Sequence, residues 1–161
     1  MRVLAEVLFA RIAGRDLRFQ VARFDLDRSR DDPDSAVREF VESRLADPDA
    51  LRVVHSTSWR YERGRLVLSY LVYSDRLALP GRVRRARVTA LPSPEEPARS
   101  AEDRDRAVAS HALRHLAFLA SEDPRRYAAK LLPETRRTLR KLRPAAAGRV
   151  RHRTPQGEDR A

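Results

Sequence analysis

The chain has 161 residues, enough for one domain of ordinary size and a tail, with 35% charged and 42% apolar residues and a net charge of +11. It has no cysteine, which excludes disulfides, thiolate metal sites and a cysteine nucleophile and accords with a reducing, cytoplasmic setting. No apolar run approaches the ~20 residues that cross a bilayer, so no transmembrane segment is expected.

In chain order, residues 2–12 and 17–26 read as two strands joined by a turn at Gly14, Arg15 and Asp16. Both faces of the first are largely apolar, which suits a central strand. The second alternates Leu17, Phe19 and Val21 with polar neighbours, which suits a sheet with one wet face. A polar loop then ends in a helix start, with Asp32 or Asp34 as N-cap and Pro33 in the first turn. The helix is expected from Ser35 to Leu45, burying Val37, Phe40, Val41 and Leu45.

Two more strands follow around a turn at Gly64. Val53, His55, Thr57, Trp59 and Tyr61 are expected on one face, and Leu66 to Tyr73 returns as an apolar strand. An edge strand is expected over 83–91, where Arg84, Arg85 and Arg87 discourage further pairing. Residues 92–101 are a proline-rich linker. Glu102 to Ser121 is a helix with acids in its first turn and a stripe of Val108, Ala112, Leu116 and Leu119. Short helices are expected over 124–132 and 133–142, with Leu132, Leu139 and Leu142 on one side. The 144–161 tail is expected to be disordered and basic. The fold class is α+β. About five strands form a mixed or antiparallel sheet over 1–91, with one helix after the first hairpin. A helical segment, 102–143, packs on that core.

Charge is unevenly placed. From Arg125 to Arg153 there are eleven Arg and Lys residues against one acid, Glu134, while the other 132 residues are close to neutral. Only Lys130 and Lys141 are lysines, so the preference for Arg reflects codon usage, but codon usage does not remove acids from one segment. The side chains of Arg125, Arg126, Lys130, Arg136, Arg137, Arg140, Lys141 and Arg143 are the candidate phosphate contacts. Such charge density suits nucleic acid or another polyanion, or an acidic protein. The narrow apolar side lacks Trp and Phe, which makes membrane insertion the weakest option.

Other constellations compete with simpler readings. His111 and His115 are four apart on a helix, a spacing that suits a metal but equally suits packing, and no third ligand is evident. His55 reads as a packed histidine in the polar company of Ser56, Thr57 and Ser58. Trp59, Tyr61, Tyr70 and Tyr73 sit on neighbouring strands, where aromatics either stack bases or fill a core; core packing is the preferred reading. No nucleophile elbow, P-loop or Gly-x-Gly-x-x-Gly is present.

In the first helix, Arg38, Glu39 and Glu42 match the Arg-Glu-apolar-x-Glu-Glu heart of the Nudix box. A hairpin precedes this helix and a β-meander follows it, so the segment resembles a Nudix domain over about residues 1–91 and part of the later helix. The resemblance implies that Glu39 and Glu42 face a Mg²⁺ or Mn²⁺ ion and a phosphorylated substrate. The chain departs from the box at Ser43, Leu45, Phe24 and Arg30, where a glutamate, a glycine and the upstream glycine and glutamate are due. It therefore implies a degenerate, non-catalytic Nudix-like domain without a resident cofactor, which binds an anionic ligand and touches nucleic acid through the basic segment. The alternatives are a divergent metal-dependent hydrolase of a phosphorylated small molecule using Glu39 and Glu42, and a protein-interaction module with a basic tail.

Overall fold

A computed structural model describes residues 2–27, 32–46, 52–93 and 96–149. The elements are β1 (Arg2–Ala13), β2 (Asp16–Leu26), α1 (Pro33–Arg44), β3 (Val53–Glu62), β4 (Arg65–Tyr73), β5 (Arg84–Arg87), α2 (Ala101–Glu122), α3 (Pro133–Leu139) and β6 (Gly148–Arg149). Single 3₁₀ turns follow β5 at Val88–Ala90 and α2 at Ala128–Lys130. The architecture is α+β, a mixed sheet in the order β5-β2-β1-β4-β3-β6. β1 pairs antiparallel with β2 and parallel with β4, while β3 and β4 form an antiparallel hairpin.

Local chemistry explains the turns. The two-residue loop between β3 and β4 is Arg63–Gly64, and both have positive φ, 48° and 75°, as a type I′ hairpin turn requires. At the first hairpin only Gly14 has positive φ, the requirement of type II′ at its first central residue.

The central strand β1 serves two cores because its side chains alternate. Leu8, Ala10 and Ile12 pack with Leu71, Tyr73 and the apolar face of α2. Ala5, Val7 and Phe9 pack with Val37 and Val41 of α1, and with Tyr70 and Val72. The sheet therefore lies between α1 on one face and α2 with α3 on the other. The side chain of Asp32 caps α1 through Ser35 N–H at 3.3 Å, and Tyr70 donates to Asp34 in the first turn at 2.8 Å. Ser100 caps α2 through Asp103 N–H at 3.0 Å.

Four expectations need correction. The register of β3 shifts between Ser56 and Ser58, so Val53 and His55 share a face but Trp59 and Tyr61 turn to the opposite one. The last long strand stops at Arg87, and residues 88–90 turn inward so that Val88 joins the core. In the C-terminal segment the buried stripe is Leu131, Thr135 and Leu139, at four-residue spacing, while Leu132 is exposed. Residues 145–149 are ordered against the body: Ala145 N–H donates to the Arg114 carbonyl at 3.1 Å, and β6 pairs with Ser58 and Trp59 of β3. The rest of the tail, 150–161, lies outside the described residues.

The basic segment is thus part of the fold. Pro124 ends α2 because it offers no N–H, and Asp123 accepts the amides of Arg126 and Tyr127 at 3.2 and 3.0 Å. α3 has no side-chain cap of its own at Leu132. Asp75, in the loop after β4, replaces it by accepting from Leu132 N–H at 2.7 Å and Thr135 Oγ1 at 2.5 Å. The same carboxylate accepts from Tyr73 Oη at 2.7 Å, so α3 is tied directly to the sheet.

A candidate anion-binding cleft

Beside the N-terminal end of β3 lies a cleft of 290 Å³ between α1 and the turn that follows α2. Arg38 and Glu42 reach it from α1, Arg52, Val53 and Val54 from the start of β3, and Arg126, Tyr127 and Lys130 from the turn. Two regions singled out separately in the sequence, the box-like helix and the basic segment, meet at this wall.

Each side chain arrives for a physical reason. Arg38 and Glu42 are one turn apart on the exposed side of a helix whose other side is anchored by Val37 and Val41. Tyr127 is buried, edge-on to His55 with ring centroids 5.9 Å apart. The guanidinium of Arg126 stacks over the Tyr127 ring at 5.3 Å, which limits its freedom. In the 3₁₀ turn positions i and i+3 eclipse, so Lys130 stands in line with Tyr127. Among the described residues, four cationic side chains face one carboxylate, a local excess of +3. An oxyanion entering this cleft meets bidentate Arg donors and a Lys point charge.

The remaining predicted residues lie elsewhere. Glu39 is exposed and outside the cleft wall. Ser43 donates to the Phe40 carbonyl at 2.7 Å. Among the described residues, no group of three His, Asp or Glu side chains converges as a metal site. Among the described residues, Glu42 has no carboxylate beside it in the cleft, fewer oxygen donors than a Mg²⁺ or Mn²⁺ ion takes. Arg136 and Arg140 line a separate, more apolar groove of 420 Å³ with Ala117, Leu139 and Leu142. Arg125, Arg137, Lys141 and Arg143 are exposed.

Two of the three histidines are hydrogen-bonded to each other, and all three reach backbone carbonyls. His111 Nε2 lies 3.1 Å from the Thr57 carbonyl, and His115 Nδ1 lies 3.0 Å from the Ala145 carbonyl. A carbonyl only accepts, so both of those nitrogens carry hydrogen. Nε2 of a neutral His115 is then an acceptor, and it lies 3.1 Å from His55 Nδ1. That atom is itself 2.8 Å from the Ser56 carbonyl and so is the donor. Burial pushes the His115 pKa down, and neighbouring His55 and His111 add to this. Burial also lowers His111, with Arg114 adding to it. His115 and His55 link Ala145 to β3, while His111 ties α2 to Thr57 of the same strand.

At the other end of β3 is a group that sequence reasoning missed. Glu6 is fully buried on β1 and receives both ends of the Arg60 guanidinium at 2.8 and 3.0 Å, Ser69 Oγ at 2.9 Å and Arg23 Nε at 2.9 Å. Arg23 also reaches Asp105 on α2 at 2.6 Å, and Arg60 reaches Glu62 at 3.2 Å. Burial alone would raise the Glu6 carboxyl, but Arg60, Arg23 and Ser69 together hold its pKa below the usual value. The available signal was Glu6 itself, a charge in the middle of the otherwise apolar run from Val3 to Ala10.

No family model matches the chain, and neither a curated protein nor a solved structure matches it significantly. No helix among the described residues is long and apolar enough to cross a membrane.

Proposed function

We propose that the protein is a non-catalytic, degenerate Nudix-like domain that binds a phosphate-bearing anion, with sequence-independent nucleic-acid contact through its basic segment. The observation that carries this reading is the cleft in which Arg38 and Arg52 meet Arg126 and Lys130, with one carboxylate, Glu42, among the described residues. A site with that balance attracts phosphate oxygens without selecting a sequence. The exposed Arg125, Arg137, Arg140 and Lys141 extend the same field beyond the cleft.

The test is fluorescence anisotropy of a labelled mixed-sequence oligonucleotide titrated with the protein over a range of salt. Deleting the basic segment would remove Tyr127, Leu131 and Leu139 from the core, so the comparison is with the double variant Arg126→Gln, Lys130→Gln. We expect steeply salt-dependent binding by the parent. The double variant should bind more weakly, with a log–log salt slope smaller by about 1.4, two contacts at about 0.7 each on a single strand. Absence of binding at low salt, or binding unaltered by the double variant, overturns the reading. Mg²⁺- or Mn²⁺-dependent turnover of a phosphorylated small molecule, lost in Glu42→Gln, would overturn it in favour of a hydrolase.

A further inference from the structure

We infer that Trp59 and Tyr61 form a base-stacking platform, so that the polyanion this protein takes is single-stranded nucleic acid; this rests on the anion-binding reading above and narrows its ligand. The inference begins with the irregularity in β3. Because the register shifts between Ser56 and Ser58, Trp59 falls opposite Leu68 and Tyr61 opposite Leu66. That is the face of the sheet that α1 covers, but α1 packs on Ala5, Val7, Phe9, Tyr70 and Val72. The two aromatics stand beyond that contact. Trp59 is 38% exposed and Tyr61 59% exposed, and with Val83 and Leu132 they are the exposed large apolar side chains among the described residues. Their rings meet edge to face with centroids 6.1 Å apart.

Three features select the occupant. First, two rings at alternate positions of one strand are about 7 Å apart along the chain and present π-faces and edges, which accept bases of any identity. Second, the strand that carries them begins in the cationic cleft at Val53 and Val54. At about 3.3 Å per residue, Trp59 lies about 17 Å from that end, which about five stacked nucleotides cover at 3.4 Å each. One ligand can therefore place phosphates in the cleft and bases on the platform. Third, the outer edge of β3 at Ser58 and Trp59 is already paired with β6, so a peptide cannot add there as a strand. A duplex hides its base faces in the stack, and polyphosphate has none.

The experiment uses the intact protein and its own reporter, since Trp59 is the only tryptophan in the chain. Tryptophan fluorescence and anisotropy are followed during titration with a ten-nucleotide oligothymidylate, a trinucleotide, inorganic polyphosphate and a duplex. We expect the decanucleotide to quench Trp59 and to bind at least tenfold tighter than the trinucleotide, which is too short to span the two sites. Polyphosphate and duplex should bind in the cleft without quenching. Tyr61→Ala, at an exposed position that leaves the core intact, should weaken the decanucleotide about tenfold and leave polyphosphate unchanged. Decanucleotide binding with unaltered Trp59 emission, or equal loss of both ligands in Tyr61→Ala, overturns the platform while the anion-binding reading stands. Failure of every polyanion to bind overturns both.

Discussion

The two ends of β3 use arginine in opposite ways. At the C-terminal end Arg60, Arg23, Arg104 and Arg84 each have a carboxylate within 3.5 Å, supplied by Glu6, Glu62 and Asp105. At the N-terminal end four cations share a cleft with one acid, Glu42, among the described residues. The first group is folded into the protein; the second lines an open cleft. Arginine content therefore says little about binding until its carboxylates are counted in space. The C-terminal end of β3 also borders a cleft, one that Arg63 and Arg65 share with Arg60 and Arg104, yet acids already hold the inner guanidinia there.

Removing charge should separate the two ends most sharply at Glu6. Its carboxylate is buried against a two-pronged Arg60 and a partly buried Arg23. Glu6→Gln keeps the shape but leaves those cations uncompensated. Breaking such a buried pair costs about 3–5 kcal/mol, a large fraction of the stability of a domain this size. Urea denaturation at pH 7 should show an unfolding free energy lower by that amount, read from the shift in midpoint multiplied by m. A loss under about 1 kcal/mol would mean that this end, too, is solvated and loosely paired. The linkage has a definite sign. The folded pKa is below the unfolded one, so the contribution of Glu6 is present above about pH 4.5 and fades as pH falls through the folded value.

An intermediate effect is expected from the histidines that hold the C-terminal segment between these ends. The folded pKa values of His111 and His115 are lowered, so the unfolded chain binds more protons as pH falls below the ordinary value of 6.5. Stability should be constant above pH 7 and decline below 6.5, by at most about 1.4 kcal/mol per pH unit for each histidine. Protonating His115 would set its Nε2–H against the donor on His55 Nδ1. Stability curves at pH 8 and pH 5.5, for the parent and His115→Gln, test this. An unchanged slope in the variant would assign the pH dependence elsewhere.

The fold was far more legible than the site. Alternation in β1, the Asp32–Pro33 start of α1 and the stripe of α2 are signals within one turn or one strand, so hairpins and helices followed from residues near in sequence. The register shift in β3 left no such mark. Thr57 is as good a strand residue as its neighbours, and the shift appears only when Ser56 pairs with Tyr70 and Ser58 with Ser69. That single slip moved Trp59 and Tyr61 out of the expected core. The cap of α3 was invisible for the same reason, because Asp75 is 57 residues from Leu132. The cleft was half legible: Arg126, Lys130, Arg38 and Glu42 were each noticed, but only the fold brings α1 to the turn after α2.

The smallest effect sharpens the comparison most, because its sign should invert. Arg38 and Lys130 stand in a cleft with two further cations, and Glu42 is the acid that lines it among the described residues. In the absence of an anion this arrangement is mildly repulsive. Like charges at such sites cost a few tenths of a kcal/mol. Gln is close to both Arg and Lys in helix propensity, so it removes charge with little change in backbone preference. Arg38→Gln with Lys130→Gln should therefore raise stability by about 0.5 kcal/mol at low salt, while weakening polyanion binding. The gain should vanish near 1 M salt, where the screening length is about 3 Å. Adding polyphosphate should stabilise the parent more than the variant, since a ligand that binds only the folded state shifts unfolding by mass action. A loss of stability in the double variant at low salt would instead mean that Arg38 or Lys130 is paired in solution. The N-terminal end of β3 would then be another closed ion cluster, like the one around Glu6.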